Sequence, residues 1–145
     1  LIVHDKQTNE TKKLINFFQK LGSIVEIVNT EYHDKILAIT SHLPHLIAYT
    51  IVGTASDLET DLKNDVIKFS ASGFRDFTRI ASSDPIMWRD VFLNNSDAVL
   101  EMLQRFNEDL SDLQKAIRKK DGDKLHSFFS RTRLIRKKII DAGQI

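Results

Sequence analysis

Cysteine is absent from the 145 residues. Its absence excludes a disulfide scaffold, thiolate metal sites and a cysteine nucleophile. It fits a reducing compartment, and a cytoplasmic location is the expectation. Glycine is sparse, and Gly22, Gly53, Gly73, Gly122 and Gly143 stand far apart. No phosphate-cradling loop of the GxGxxG or GxxxxGK[ST] type can be written from them. Proline occurs only at 44 and 85. A surplus of either charge is missing too: 21 Lys and Arg stand against 20 Asp and Glu, for a net charge of +1. The chain as a whole does not have the charge of a polyanion binder. No apolar run approaches about 18 residues, so no membrane-spanning segment is expected. The opening residues, Leu1-Ile2-Val3-His4-Asp5, include no initiator Met, basic segment or long apolar segment. They read as the interior of a longer protein and not as a targeting signal.

What is present is ordinary globular material. Hydrophobic residues make up 41% and charged residues 28%, which excludes a disordered chain. One domain of about 150 residues is the expected scale, and it buries enough surface to fold unaided. Residues 1–28 differ from the rest. Leu1–Val3 is strand-like. Lys6–Leu21 is amphipathic, with Leu14, Ile15, Phe17, Phe18 and Leu21 clustered and Gly22 as a stop. Ser23–Val28 is β-branched and reads as a second strand. Strand–helix–strand in this space is a βαβ remnant, the kind that belongs to a parallel sheet.

From residue 29 to 145 the chain reads as all-helical. Thr30 is the expected N-cap of a long apolar helix over 32–56, kinked near Thr40–Pro44 by the proline. Residues 57–69 are polar and read as a short helix with loops. Residues 73–81 read as a helix. Asp84 and Pro85 form an N-cap and N1 pair that opens a helix to about Asn94. Val99, Leu103, Phe106, Leu110, Leu113 and Ile117 recur at alternating spacings of 4 and 3, as do Leu125, Phe128, Thr132, Ile135 and Ile139. These are heptad-like seams, with Asp121-Gly122-Asp123 as the hairpin turn between them. The fold class is therefore mainly α: a helical domain hung on an α/β remnant. Seams this apolar in so short a chain call for a second copy, with C2 symmetry the default.

Four constellations could carry chemistry. In Ser41-His42-Leu43-Pro44-His45, two histidines sit three apart beside a kink. Three readings are open: satisfied helix histidines, contacts to a ligand carboxylate or hydroxyl, and a zinc pair with His33 and Asp34 upstream. A Ser41–His42 nucleophile is excluded, because adjacent helical residues point about 100° apart. In Gly73–Ala81, Phe74, Phe77 and Ala81 share one helical face. Arg75 and Arg79 share the other, about 40° apart. Two like charges at that spacing are relieved by an anion between them, or by Asp76 in an i, i+3 pair with Arg79. Trp88 is the one tryptophan and is either core or a pocket wall. Last, Lys115, Arg118, Lys119, Lys120, Lys124, Arg131, Arg133, Arg136, Lys137 and Lys138 meet only Asp121 and Asp123. Their neighbours are aliphatic and not aromatic, so a solvated face is favoured over a nucleic-acid surface.

The segments EYHDKILAITSHLPHLIAY and GFRDFTRIASSDPIMWRDVFLNN resemble the helical C-terminal half of prephenate and arogenate dehydrogenases of tyrosine biosynthesis. The resemblance covers nearly the whole chain. It implies an NAD(P)-dependent oxidative decarboxylation of prephenate to 4-hydroxyphenylpyruvate, or the matching reaction of arogenate, by a homodimer. It implies that residues 1–28 are the C-terminal end of a Rossmann-type domain, and that the cofactor, NAD or NADP, and the catalytic histidine belong to that N-terminal domain. This chain alone is then inactive, with no catalytic base and no metal of its own. The resemblance assigns Arg79 to the ring carboxylate, and His45 and Trp88 to the side-chain carboxylate end. His42 and Ser41 line the site or support the kink. Asp76 orients the arginine segment or meets the dimer interface, and Arg75 reaches the ligand or the partner subunit. Tyrosine enters as a candidate inhibitor, and neither nucleic acid nor membrane is expected as a partner. The competing reading is a helical interaction module whose basic hairpin binds a protein or nucleic acid. A related dehydrogenase with another substrate is a third.

Overall fold

The computed structural model describes residues 1–3, 8–58, 65–66, 68–141 and 143. It begins with β1 (Ile2–Val3), α1 (Asn9–Lys20) and β2 (Ile27–Val28). The strands are parallel neighbours, with Ile2 opposite Ile27 and Val3 opposite Val28. The expected strand over 23–28 is thus confined to its last two residues. A ladder needs partners on both sides, and β1 offers only two. Helix α1 is capped by Thr8, whose Oγ1 accepts from Thr11 N at 3.2 Å. It ends in a Schellman motif. Ser23 N donates to Phe18 O and Gly22 N to Gln19 O, with Gly22 at φ 83°. That left-handed position is where glycine is favoured.

The helical body starts with α2 (Thr30–Leu37). Its N-cap is Asn29 and not the expected Thr30: Asn29 Oδ1 accepts from Tyr32 N at 2.8 Å. The expected kink is a π-helical turn, Ala38–His42, closed by Leu43 N donating to Ala38 O. It leads directly into α3 (Leu43–Ser56). Pro44 has no N–H to give a residue four back, and the wider turn before it accommodates that loss. Thr30–Ser56 is one helical run of 27 residues, long and apolar enough to cross a membrane. This measure is one of length and composition, which a helix packed in a protein core also meets; no uninterrupted apolar run of about 18 residues occurs in it. Thr, Ser, His and Tyr break those runs without making the helix polar. Of the polar stretch expected over 57–69, residues 59–64 and 67 lie outside the described residues, while Asp65, Val66 and Lys68 are helical.

The helix expected over 73–81 is divided. Helix α4 (Ser72–Thr78) passes into a 3₁₀ turn, Arg79–Ser82. Both pack on α3, and Tyr49 Oη donates to Ser83 O at 2.7 Å. Helix α5 (Pro85–Asn94) opens as expected, with Asp84 Oδ1 accepting from Ile86 N and Met87 N at 2.9 and 2.8 Å. The buried apolar side chains of residues 1–102 are Ala38, Leu43, Ala48, Trp88 and Val99. They bring the π turn, α3 and α5 to the site described below.

Helix α6 (Ser96–Arg118) and α7 (Gly122–Asp141) complete the chain. Residues 103–145 form a second compact unit, the helical hairpin. Its turn differs from the expected Asp-Gly-Asp device. Asp121 N donates to Ala116 O and Lys120 N to Ile117 O, a second Schellman motif. The left-handed residue is Lys120, at φ 53°, while Gly122 is already helical. Asp121 caps α7 by accepting from Lys124 N at 3.0 Å. The seams do not close within one hairpin. Leu110, Ile117, Ile135 and Ile139 are exposed, at 51%, 64%, 51% and 44%. A groove of about 540 Å³ lies among Leu110, Leu113, Ile117, Leu125 and Phe129.

Candidate functional site

The π turn decides which histidine faces which neighbour. It places His42 among buried residues at 8% exposure, with Trp88 of α5 at 7%. Their rings meet edge to face, with centroids 6.1 Å apart. His45, one turn on, lies flat on the Trp88 indole, with centroids 3.6 Å apart and planes at 22°. Phe92 closes on the same indole at 5.6 Å. Ser41 contributes through its backbone, since its carbonyl accepts from His45 Nδ1 at 2.9 Å. So Ser41, His42, His45 and Trp88 come together. Among the described residues Trp88 Nε1 is buried and has no hydrogen-bond acceptor. A buried donor of this kind costs free energy until an acceptor meets it.

His42 is also held from the other side. Asn95, at the end of α5, donates from Nδ2 to Asp34 O at 2.9 Å and sits 3.1 Å from His42 Nδ1. Burial lowers the His42 pKa below its ordinary 6.5. Asp34 opposes that shift, whereas His33 and His45 reinforce it. His33 Nδ1 and Asp34 Oδ1 are themselves 3.0 Å apart. No group of three His, Cys, Asp or Glu side chains among the described residues is arranged to hold a metal ion. Beside Asn95 is an open cleft of about 290 Å³, with Glu31, Asp34, Asp97 and Glu101 outnumbering Lys35. Its acidic lining is unsuited to anions.

The arginine segment is exposed. Arg75, Asp76 and Arg79 all face solvent. Among the described residues the i, i+3 pair of Asp76 with Arg79 is not formed, and neither arginine has an ion-pair partner. Phe77, expected on the covered face with Phe74, is 43% exposed. The change to a 3₁₀ turn at Arg79 alters the angular steps on which the wheel rests. On the hairpin, Lys115 pairs with Asp112 of its own helix at 3.2 Å. Arg131 lies over the Phe128 ring. The basic face therefore has partners beyond Asp121 and Asp123. Asn95 and Phe92, both touching the histidine–tryptophan cluster, carried no signal in the sequence, because their contacts span elements that no local pattern relates.

Residues 29–131 match the family model described as the prephenate dehydrogenase dimerization domain. The chain belongs to the prephenate dehydrogenase family. Among curated proteins it is 38% identical over 123 residues to the cyclohexadienyl dehydrogenase of Zymomonas mobilis, covering 85% of this chain and 42% of that protein. It is 34% identical over 125 residues to the prephenate dehydrogenase of Bacillus subtilis, covering 86% and 33%. The prephenate dehydrogenase of Aquifex aeolicus, solved with hydroxyphenyl propionate and NAD+, superposes with a TM-score of 0.83 at 33% identity. That match covers 94% of this chain and 48% of the other. The chain thus spans less than half the length of these prephenate dehydrogenase relatives. The family implies a nicotinamide cofactor, and the residues here do not fit one. No glycine-rich cradle exists.

Proposed function

We propose that this chain is the dimerisation and substrate-binding half of an NAD(P)-dependent prephenate or arogenate dehydrogenase, with its domain boundary at 28/29. The observation that carries the reading is the buried Trp88 N–H, clamped by His42 and His45 and lacking an acceptor. A donor cluster of this kind suits a ligand rich in acceptors. Prephenate carries two carboxylates, and the reaction expels one of them as CO2. The site must therefore hold that carboxylate without protonating it. Arg79 supplies a fixed positive charge that never gives up its proton. His45 and Trp88 receive the other carboxylate, while Ser41 and His42 keep the π turn in shape. Asp76 and Arg75 border the anion face or meet the partner subunit. Hydride and proton transfer fall to residues outside this chain, as does binding of NAD or NADP. A homodimer covers the open seams of α6 and α7. A cytoplasmic location and feedback by tyrosine belong to the same reading.

The test is direct. The full-length enzyme is assayed with prephenate and with arogenate, each with NAD and NADP. Reduced cofactor is expected to form with at least one pair. The 145-residue chain alone is expected to produce none. Failure of the full-length enzyme on every pair refutes the activity, and turnover by the chain alone refutes the division of labour.

A further inference from the structure

The hydrogen bonds around the two histidines fix their protons. Asp34 O is a backbone carbonyl and can only accept. The Asn95 atom 2.9 Å from it is therefore the amide nitrogen. That nitrogen has two hydrogens, and its second neighbour is His42 Nδ1, at 3.1 Å. A donor faces Nδ1, so Nδ1 is the acceptor and the His42 proton sits on Nε2. His45 is fixed the opposite way. Its Nδ1 faces Ser41 O at 2.9 Å, another pure acceptor, so Nδ1 carries the proton. Adding a proton to His45 goes to Nε2 and leaves this bond intact. Adding one to His42 goes to Nδ1 and breaks the bond from Asn95.

We propose that Asn95 is a positioning residue that holds His42 neutral with its proton on Nε2, while the Ser41 carbonyl holds the His45 proton on Nδ1. The groups acting on His42 agree with this. His33 on α2 and His45 on α3 oppose its charging, Asp34 on α2 favours it, and α5 offers only the neutral Trp88. Burial adds to the opposition. The significance for a substrate rests on the dehydrogenase reading: His42 then offers a ligand a neutral N–H donor. The assignment of protons does not rest on that reading.

The experiment is nitrogen-15 NMR of the imidazole rings in this chain through a pH titration, with Asn95→Asp and Asn95→Leu variants. In the unsubstituted protein His42 is expected to show a protonated Nε2 and a bare Nδ1 at neutral pH. His45 is expected to show a protonated Nδ1 and a bare Nε2 at neutral pH. Asn95→Asp replaces the donor by a pure acceptor, so His42 should acquire a proton on Nδ1 and become charged at higher pH than before. Asn95→Leu should leave His42 in a mixture of both neutral forms. A bare Nε2 on His42, or a bare Nδ1 on His45, in the unsubstituted protein overturns the proposal. So does an unchanged His42 spectrum in a folded Asn95→Asp protein. Should that variant fail to fold, the unsubstituted spectrum decides alone. An inactive full-length enzyme would remove the ligand's role and leave the tautomers standing.

Discussion

A neutral imidazole buried against tryptophan makes the fold sensitive to acid. Burial depresses the His42 pKa from 6.5 in the folded chain. Below about 6.5 the unfolded chain then binds a proton that the folded chain resists, so stability falls with pH and the loss levels off below the folded value. Above 6.5 both states are neutral and His42 contributes no pH dependence. His42→Gln, whose side-chain oxygen can accept from Asn95, should flatten the melting temperature between pH 7 and pH 5 compared with the unsubstituted chain. Parallel curves would remove His42 as the origin. The second residue-scale expectation concerns Arg79 in the full-length enzyme. A carboxylate held by a charge-assisted pair is worth about 1.5–3 kcal/mol. Arg79→Ala should then raise the KM for prephenate by roughly tenfold to several hundredfold, with little change in the KM for the cofactor. Arg79→Lys should recover only part, since an ammonium lacks the planar fork. If Arg75→Ala cripples binding while Arg79→Ala is silent, the face is right and the residue is wrong. The sequence showed which residue types gather around Pro44 and before Pro85. It could not show Asn95, which reaches His42 across 53 positions by a contact that leaves no periodic trace.

At the scale of elements, the signals that were readable are those written within a few residues. Asp84-Pro85 marks a helix start because both the cap oxygen and the proline act locally. Gly22 marks a stop because its left-handed backbone is unfavourable for other residues. The π turn was not readable. Pro44 announces an interruption, but whether the helix kinks, breaks or widens depends on what α2 and α3 pack against. The hairpin turn misled because Asp-Gly looks like the left-handed site, whereas the structure gives that conformation to Lys120, two residues earlier. This leaves a removable strain. A non-glycine residue in the left-handed region costs about 1 kcal/mol, partly offset in a glycine variant by greater freedom of the unfolded chain. Lys120→Gly should therefore stabilise by about 0.5–1 kcal/mol. Gly22→Ala, at the same position of the other Schellman motif, should destabilise by about 1 kcal/mol. Chemical denaturation measures both. A destabilised Lys120→Gly would mean that the lysine side chain contributes more than its backbone costs.

At the scale of the whole molecule, the mainly helical class and the parallel strand–helix–strand opening followed from period and composition, since both depend on residues close in sequence. What covers the heptad seams did not, because the described residues leave them open within one copy. The seam residues Leu110, Ile117, Ile135 and Ile139 stay open to solvent, and so do Leu100, Phe129 and Leu134 on the same two helices. Burying an apolar side chain of this size contributes roughly 1.5–3 kcal/mol. Several of them per copy, duplicated across a two-fold axis, would outweigh the few kcal/mol or more that association costs in lost freedom. Sedimentation of the isolated chain at micromolar concentration should therefore show a dimer. Ile117→Glu and Leu110→Glu place a charge on seam residues that are more than half exposed within one copy. Each should shift the chain toward monomer while circular dichroism keeps its helical signal. A stable monomer of the unsubstituted chain would show that the seams are covered by something other than a second copy. Loss of helical signal together with association would show that the hairpin does not fold until it pairs, in which case stability itself should rise with protein concentration.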